Sequence, residues 1–302
     1  MTSFLTKAFA LLLLVALLPA CSRTQKIDPY APHETLLGIA TEFKLLDSGD
    51  PYRSTPPQDL TGQHIAKATL VRLANYEELH PDRFPLEIRM LKARCYEWLG
   101  DSGSARDLFA EVAAQSDSPL AAEAAAHARL HERILAEQPD PTRATSVEAF
   151  LGELYRHEEA LLNAAQSEDN PLFQALLLKS AEDLAVRRVE VLAGNRLLVE
   201  EDEQQILEQL RRLITTYGES ARGRSHVARL ARFHRELAEE ELRLHPPSGI
   251  RFDRARCLLH LNEALDILHQ LAQEDGTEEK LVAQRELDTV LALRDVVLRT
   301  SR

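Results

Sequence analysis

The chain has 302 residues, of which 44% are hydrophobic and 28% are charged, so it can bury a large core and lacks the low hydrophobicity of a disordered protein. Its formal net charge of −12 repels phosphate backbones, and this argues against a nucleic-acid partner because nucleic-acid affinity depends on cationic neutralisation of phosphates. With only 11 glycines and many Ala, Leu, Glu and Arg residues, the composition favours helices over strands.

The first 20 residues have the layout of a secretory signal. Lys7 lies in a short polar start, and an apolar run follows from Ala8 to Ala20. This run of 13 residues is too short to cross a bilayer, which requires about 20 apolar residues. We therefore predict that residues 1–20 form a signal peptide that is removed on export.

The residues at the predicted cleavage site, Leu18-Pro19-Ala20-Cys21, resemble a bacterial lipobox. The lipobox tolerates leucine three positions before the cut, whereas ordinary signal peptidase requires a small residue there. The resemblance implies lipidation of Cys21, and Ser22 in place of Asp implies an outer-membrane anchor that faces the periplasm. The implied acyl chains make attachment permanent. Pro19 departs from the family's small or aliphatic residue, so secretion into the periplasm is the alternative.

Residues 21–32 have no helical period and contain two prolines, which predicts a lipidated tether and linker. Residues 33–302 then read as one all-α domain of about eleven helices, with a possible sub-boundary near 138–145. The helical segments that the pattern predicts explicitly are 33–48, 60–79, 86–99, from just after Gly100 to 115, 118–136, 146–165, 171–194, a segment through Tyr217, a segment within 252–274, and 277–299.

Capping residues and apolar stripes support these boundaries. Ser118-Pro119 and Asn170-Pro171 each combine a capping side chain with a proline that suits the first helical turn. Thr145 and Glu148 have the spacing of a capping box. Two stripes are apolar at helical spacing: Ile206, Leu210, Leu213 and Tyr217 in one, and Leu258, Leu261, Leu265 and Leu268 in the other.

The hairpin around Gly100 carries the most specific pattern. Ala93, Tyr96, Gly100, Ala105 and Phe109 fall at the spacing of a tetratricopeptide repeat. Small Ala93 and Ala105 would let two helices approach closely, while Tyr96 and Phe109 fill the adjacent space.

This segment resembles the repeats of envelope lipoproteins such as the β-barrel assembly lipoprotein. The sequence departs from the family pattern at Arg89 and Lys92, where Trp and Leu are usual, and at Val112, where Ala is usual. The resemblance implies a curved solenoid of stacked α-α hairpins.

These features together predict a lipid-anchored scaffold that binds an envelope protein or peptide through its helical-repeat surface. Arg89, Lys92 and Glu97, on the first helix of the hairpin, are the predicted partner contacts. One alternative is a cell-wall enzyme, which a cleft with a buried carboxylate and a loop-borne partner would support. Another is a homodimeric spacer, which would show a large apolar patch on an outer helix.

No familiar catalytic or cofactor-binding motif occurs in the sequence, so we expect no enzymatic activity, cofactor or metal. His127 and His131 have the four-residue spacing of metal ligands on a helix, but no third ligand is evident nearby. Glu219-Ser220 is interpreted as a helix start rather than a catalytic acid. Cys95 and Cys257 could form a disulfide or remain two buried thiols.

Overall fold

A computed structural model describes residues 30–44, 63–196 and 203–299. The predicted signal peptide, Cys21 and residues 22–29 of the predicted linker lie outside these residues, as do residues 45–62. Eleven helices and no strand occur in the described part: α1 Ala31–Lys44, α2 Gln63–Leu79, α3 Pro85–Leu99, α4 Ser102–Ala113, α5 Ala121–Ala136, α6 Val147–Gln166, α7 Pro171–Asn195, α8 Glu203–Tyr217, α9 Gly223–Leu244, α10 Arg254–Ala272 and α11 Glu278–Arg299.

Helices that follow one another in sequence pack against one another in space. The contacts run from α1 to α5 in order and again from α6 to α11, while α5 also meets α7 and α9 also meets α11. From α2 onward, connections between consecutive helices are short enough to give successive α-α hairpins. The predicted fold class, an all-α chain of repeat-like hairpins, is therefore confirmed for the described residues.

Local capping chemistry fixes several helix ends. Helix α3 ends at Gly100, whose φ of 81° is the left-handed conformation that glycine adopts without a steric penalty. At the start of α7, the Asn170 side chain accepts the N–H of Leu172, and Pro171 occupies the first helical turn. Both boundaries agree with the sequence prediction.

Two predicted helix starts are shifted. Helix α5 begins at Ala121 rather than at Ser118-Pro119, and the Ser118 hydroxyl instead accepts the N–H two residues later at 3.2 Å. Helix α6 is capped by Ser146, not Thr145, and its hydroxyl accepts an N–H at 3.1 Å. Adjacent serine and threonine offer the same capping oxygen, so the local sequence does not distinguish the two positions.

The hairpin of α3 and α4 has a closely packed centre. Ala93, Ala105 and Phe109 are fully buried in one hydrophobic cluster, and Tyr96 packs against its edge. Val112 is also fully buried there, so this larger side chain fits where the repeat family usually has alanine. The small alanines let the two helices approach, which is the packing that the repeat-like spacing implies.

One hydrophobic cluster continues across the predicted sub-boundary. Leu130 and Ile134 of α5 share it with Phe150 and Leu154 of α6, on either side of residues 138–145. Further members come from α7, α8 and α9, so this cluster forms the largest part of the described core. Tyr217, a member of this cluster, and Leu162, which packs against it, line the candidate site.

The two cysteines within the described residues are free thiols. Cys95 and Cys257 are both buried, on α3 and α10 respectively. Burial raises the pKa of the Cys95 thiol to about 12 and that of the Cys257 thiol to about 11. They occupy the core as small hydrophobic side chains, and the disulfide alternative is not realised here.

Within the described ranges, every helix is either too short or too polar to cross a bilayer.

Candidate functional site

A cavity of about 450 Å³ lies between the start of α2, α3, α6, α7, the end of α8 and the turn that precedes α9. We call it the Trp98 cavity. It is lined by Gln63, Trp98, Leu162, Ala175, Leu178, Lys179, Glu182, Thr216, Tyr217, Glu219, Ser220, Ala221 and Arg222.

The walls of the Trp98 cavity are largely apolar. Trp98 comes from the last turn of α3, Leu162 from α6, and Leu178 from α7. Tyr217 ends α8 and is buried, with its hydroxyl donating to Glu158 Oε1 at 3.2 Å. Apolar and aromatic walls with a few polar groups are typical of binding sites.

The floor of the cavity holds a buried carboxylate. The side chain of Glu182 is 4% exposed. Its Oε1 accepts the Ser220 hydroxyl at 2.6 Å and lies 2.6 Å from His226 Nε2, while its Oε2 accepts Arg222 Nη2 at 2.8 Å. Arg222 also donates to Asp183 at 2.6 Å. This network joins α7 to the turn before α9 and to α9 itself.

The environment of Glu182 keeps it ionised. Burial acts to raise its pKa, but the hydrogen bonds from His226, Ser220 and Arg222 outweigh burial, and the pKa is lowered. A carboxylate that is ionised and accepts several hydrogen bonds has no proton to give to a leaving group. Glu182 is therefore a buried carboxylate in a cleft, as a cell-wall enzyme would require. It lacks the proton that a general acid must donate.

Ser220 is not arranged as an activated nucleophile. Its hydroxyl donates to the Glu182 carboxylate, and His226 contacts that same carboxylate oxygen. A nucleophilic serine requires a base strong enough to take its proton, and the lowered pKa of Glu182 makes this carboxylate a weaker base than usual. Glu219-Ser220 also does not start the helix directly, because α9 begins at Gly223 and the pair lies in the turn that lines the cavity.

A second buried carboxylate lies at Glu97, on α3. Its Oε2 lies 2.7 Å from His127 Nδ1 and 3.0 Å from His131 Nε2, both on α5. Burial acts to raise the pKa of Glu97, but these hydrogen bonds and the charge of Arg94 lower it to about 2. The side chain is 1% exposed, so the prediction that Glu97 contacts a partner at the surface is wrong.

The helical spacing of His127 and His131 therefore places both rings on the same carboxylate. The rings stack on Phe109, with centroid distances of 4.7 Å and 5.9 Å. Within the described residues, no group of three or more potential ligands is placed to hold a metal ion. The sequence could not identify Glu97 as their partner, because it lies 30 residues earlier than His127.

The other two predicted partner contacts lie nearer the surface. Arg89 Nε is 3.1 Å from Glu111 Oε2, and the Arg89 side chain is 43% exposed. Lys92 pairs with Glu77 of α2. Neither lines the Trp98 cavity, and their contact with a partner stays a prediction.

A third buried cluster joins α8, α9 and α10. His234 Nδ1 lies 3.0 Å from His260 Nδ1, and His260 Nε2 lies 2.8 Å from Glu203 Oε1. These residues, together with Arg211 and Arg256, line a second cavity of about 380 Å³. Burial, with the charges of His260 and Arg211, lowers the pKa of His234 to about 4. This cluster therefore holds a neutral histidine at neutral pH.

Comparisons with protein-family models and with curated proteins find no match. Among solved structures, a de novo designed helical repeat protein matches with 14% identity and a TM-score of 0.16, over 91% of this chain and 99% of the designed one. The fold class therefore rests on the helices and contacts described above.

Proposed function

We propose that this chain is a non-enzymatic scaffold of the bacterial envelope, anchored by lipid at Cys21 to the periplasmic face of the outer membrane. Its helical domain binds a protein or peptide partner at the Trp98 cavity. The observation that carries the proposal is this cavity of about 450 Å³ with apolar walls, because an open apolar depression on a stable helical framework suits a side chain or short segment of a partner.

The polar groups of the cavity support binding rather than catalysis. Glu182, Ser220 and Arg222 are held by one another in a fixed network. Such a network stabilises the turn before α9 and gives the cavity a preformed shape. A preformed site loses little conformational entropy when a partner binds.

An affinity pull-down from detergent-solubilised membranes tests the proposal. The full-length protein and a Cys21→Ala variant are compared by mass spectrometry of the N-terminus and of co-purifying proteins. We expect a lipidated Cys21 at the mature N-terminus and a stoichiometric envelope protein with the wild type, and an unlipidated N-terminus with the variant. A wild-type N-terminus without lipid contradicts the anchor, and the absence of a co-purifying partner contradicts the scaffold.

The homodimeric spacer is a second candidate because of α11. This helix buries Ala283, Val290 and Val297 against its neighbours. Its outer surface exposes four large apolar side chains to between 41% and 52%: Leu281, Leu291, Val296 and Leu298. Sedimentation of the full-length protein in detergent distinguishes the two candidates, since the spacer requires a dimer without a partner.

A further inference from the structure

Four charged side chains line the Trp98 cavity, and three of them are already paired within the protein. Lys179 donates to the backbone carbonyl oxygen of Trp98. Glu182 and Arg222 bind each other. The fourth, Glu219, is exposed and has no hydrogen bond or ion pair with any residue that the structure describes. Lys179 keeps its positive charge in its hydrogen bond to Trp98, but the carboxylates of Glu182 and Asp183 together balance Lys179 and Arg222. The charge left over for a ligand is therefore the negative charge of Glu219.

The walls beside Glu219 suit the stem of a long basic side chain. Lysine and arginine bury their methylene groups along apolar surface while the charged head stays near water. Leu162 and Leu178 supply such a surface. Trp98 and Tyr217 add aromatic rings, which attract a cation electrostatically through their electron-rich faces.

Other occupants fit this lining less well. An acidic ligand would face Glu219 and would find both cations of the lining engaged with protein groups. A purely apolar side chain would fill the walls but gain no interaction with the Glu219 carboxylate, which stays hydrated. The net charge of −12 on the whole chain also favours encounter with a basic partner.

Resting on the proposed scaffold function, we infer that the Trp98 cavity receives a lysine or arginine side chain of the protein partner. The methylene stem packs against the apolar walls, and the charged head pairs with Glu219. The partner surface that docks here is correspondingly basic.

The protein carries its own reporter for this contact, because Trp98 is its only tryptophan. We titrate the full-length protein in detergent with three acetylated and amidated hexapeptides of alanine and leucine. They differ at one central position, which holds arginine, glutamine or glutamate. We expect a saturable change in Trp98 emission with the arginine peptide, weaker binding of the glutamine peptide and none of the glutamate peptide.

A charge-removing variant assigns the contact to Glu219. We expect Glu219→Gln to weaken binding of the arginine peptide by about 2- to 5-fold, the range of a partly exposed ion pair, and to reduce its salt dependence. Glu132→Gln is the matched control, because Glu132 is exposed on α5 and does not line the cavity. This control is expected to bind the arginine peptide as the wild type does.

The results separate this inference from the proposed function. Equal affinity for the arginine and glutamine peptides, no emission change with any peptide, or no effect of Glu219→Gln would overturn the inference. In each of those cases, a partner captured in the pull-down would still support the proposed scaffold function. Selective binding of the arginine peptide without any captured partner would instead support the cavity chemistry and contradict the scaffold.

Discussion

Replacement of Glu182 by leucine is expected to lower the free energy of unfolding by about 3 to 5 kcal/mol. The variant leaves His226, which is 2% exposed, and Arg222, which is 24% exposed, without the carboxylate that they share. A buried charge or polar group that loses its partner keeps its desolvation cost without the compensating interaction. Urea denaturation of the wild type and the variant, followed by circular dichroism, measures the difference.

The matched control is Glu190→Leu on the same helix, α7. Glu190 Oε1 lies 2.7 Å from Arg229 Nη1, but its side chain is 56% exposed. An exposed pair of this kind contributes at most about 1 kcal/mol. A Glu182→Leu variant no less stable than Glu190→Leu would show that the buried network does not hold α7 to the turn before α9.

Acidification from pH 6.5 to pH 4 is expected to reduce the free energy of unfolding by up to about 3 kcal/mol through His234. The pKa of His234 is lowered to about 4 in the folded protein. The unfolded chain therefore takes up a proton as the pH falls below about 6.5, whereas the folded chain does so only near pH 4. The unfolded state binds more protons than the folded state in this window. The contribution of His234 to the free energy of unfolding is therefore present above pH 6.5 and is lost as the pH falls.

The slope of stability against pH tests this assignment. In a His234→Gln variant, the fall in the free energy of unfolding between pH 6.5 and pH 4.5 should be smaller than in the wild type. His269→Gln is the control, because His269 is exposed in the last turn of α10, and it should retain the wild-type slope. If the free energy of unfolding falls with pH equally in the wild type and in His234→Gln, His234 is not the source of the pH dependence. Glu97, with its pKa near 2, contributes mainly below pH 4.5.

Features that depend on local periodicity were predictable from the sequence. The stripe of Ile206, Leu210, Leu213 and Tyr217 is buried along α8, as its spacing indicates. Gly100 ends α3 because the left-handed conformation is accessible to glycine at little cost. Each of these signals is contained within a few neighbouring residues, so no knowledge of the tertiary structure is required.

The Trp98 cavity could not be predicted in the same way. Glu182 and Asp183 are adjacent acids on one helix, yet Glu182 is buried while the Asp183 side chain is 45% exposed. The groups that bind Glu182 lie 38 to 44 residues later in the chain. Which acid is buried is therefore decided by the packing of α7 against the turn before α9.

The same physical reason explains the error at Glu97. The expected geometry of a groove predicts that Arg89, Lys92 and Glu97 share one surface of the first repeat helix. Glu97 instead faces α5, where His127 and His131 supply the hydrogen bonds that a buried carboxylate needs. Polar residues at helical spacing indicate a shared face, but they do not show whether another helix covers that face.

Site-specific photocrosslinking in living cells tests the central claim, that a partner protein binds at the Trp98 cavity, most directly. A photoreactive amino acid is placed in the full-length protein at Leu178, which lines the cavity and is 39% exposed, or at Leu244, which is 58% exposed at the far end of α9. We expect a discrete crosslinked envelope protein from position 178 and none from position 244. The same products from both positions, or none from position 178, would contradict the account.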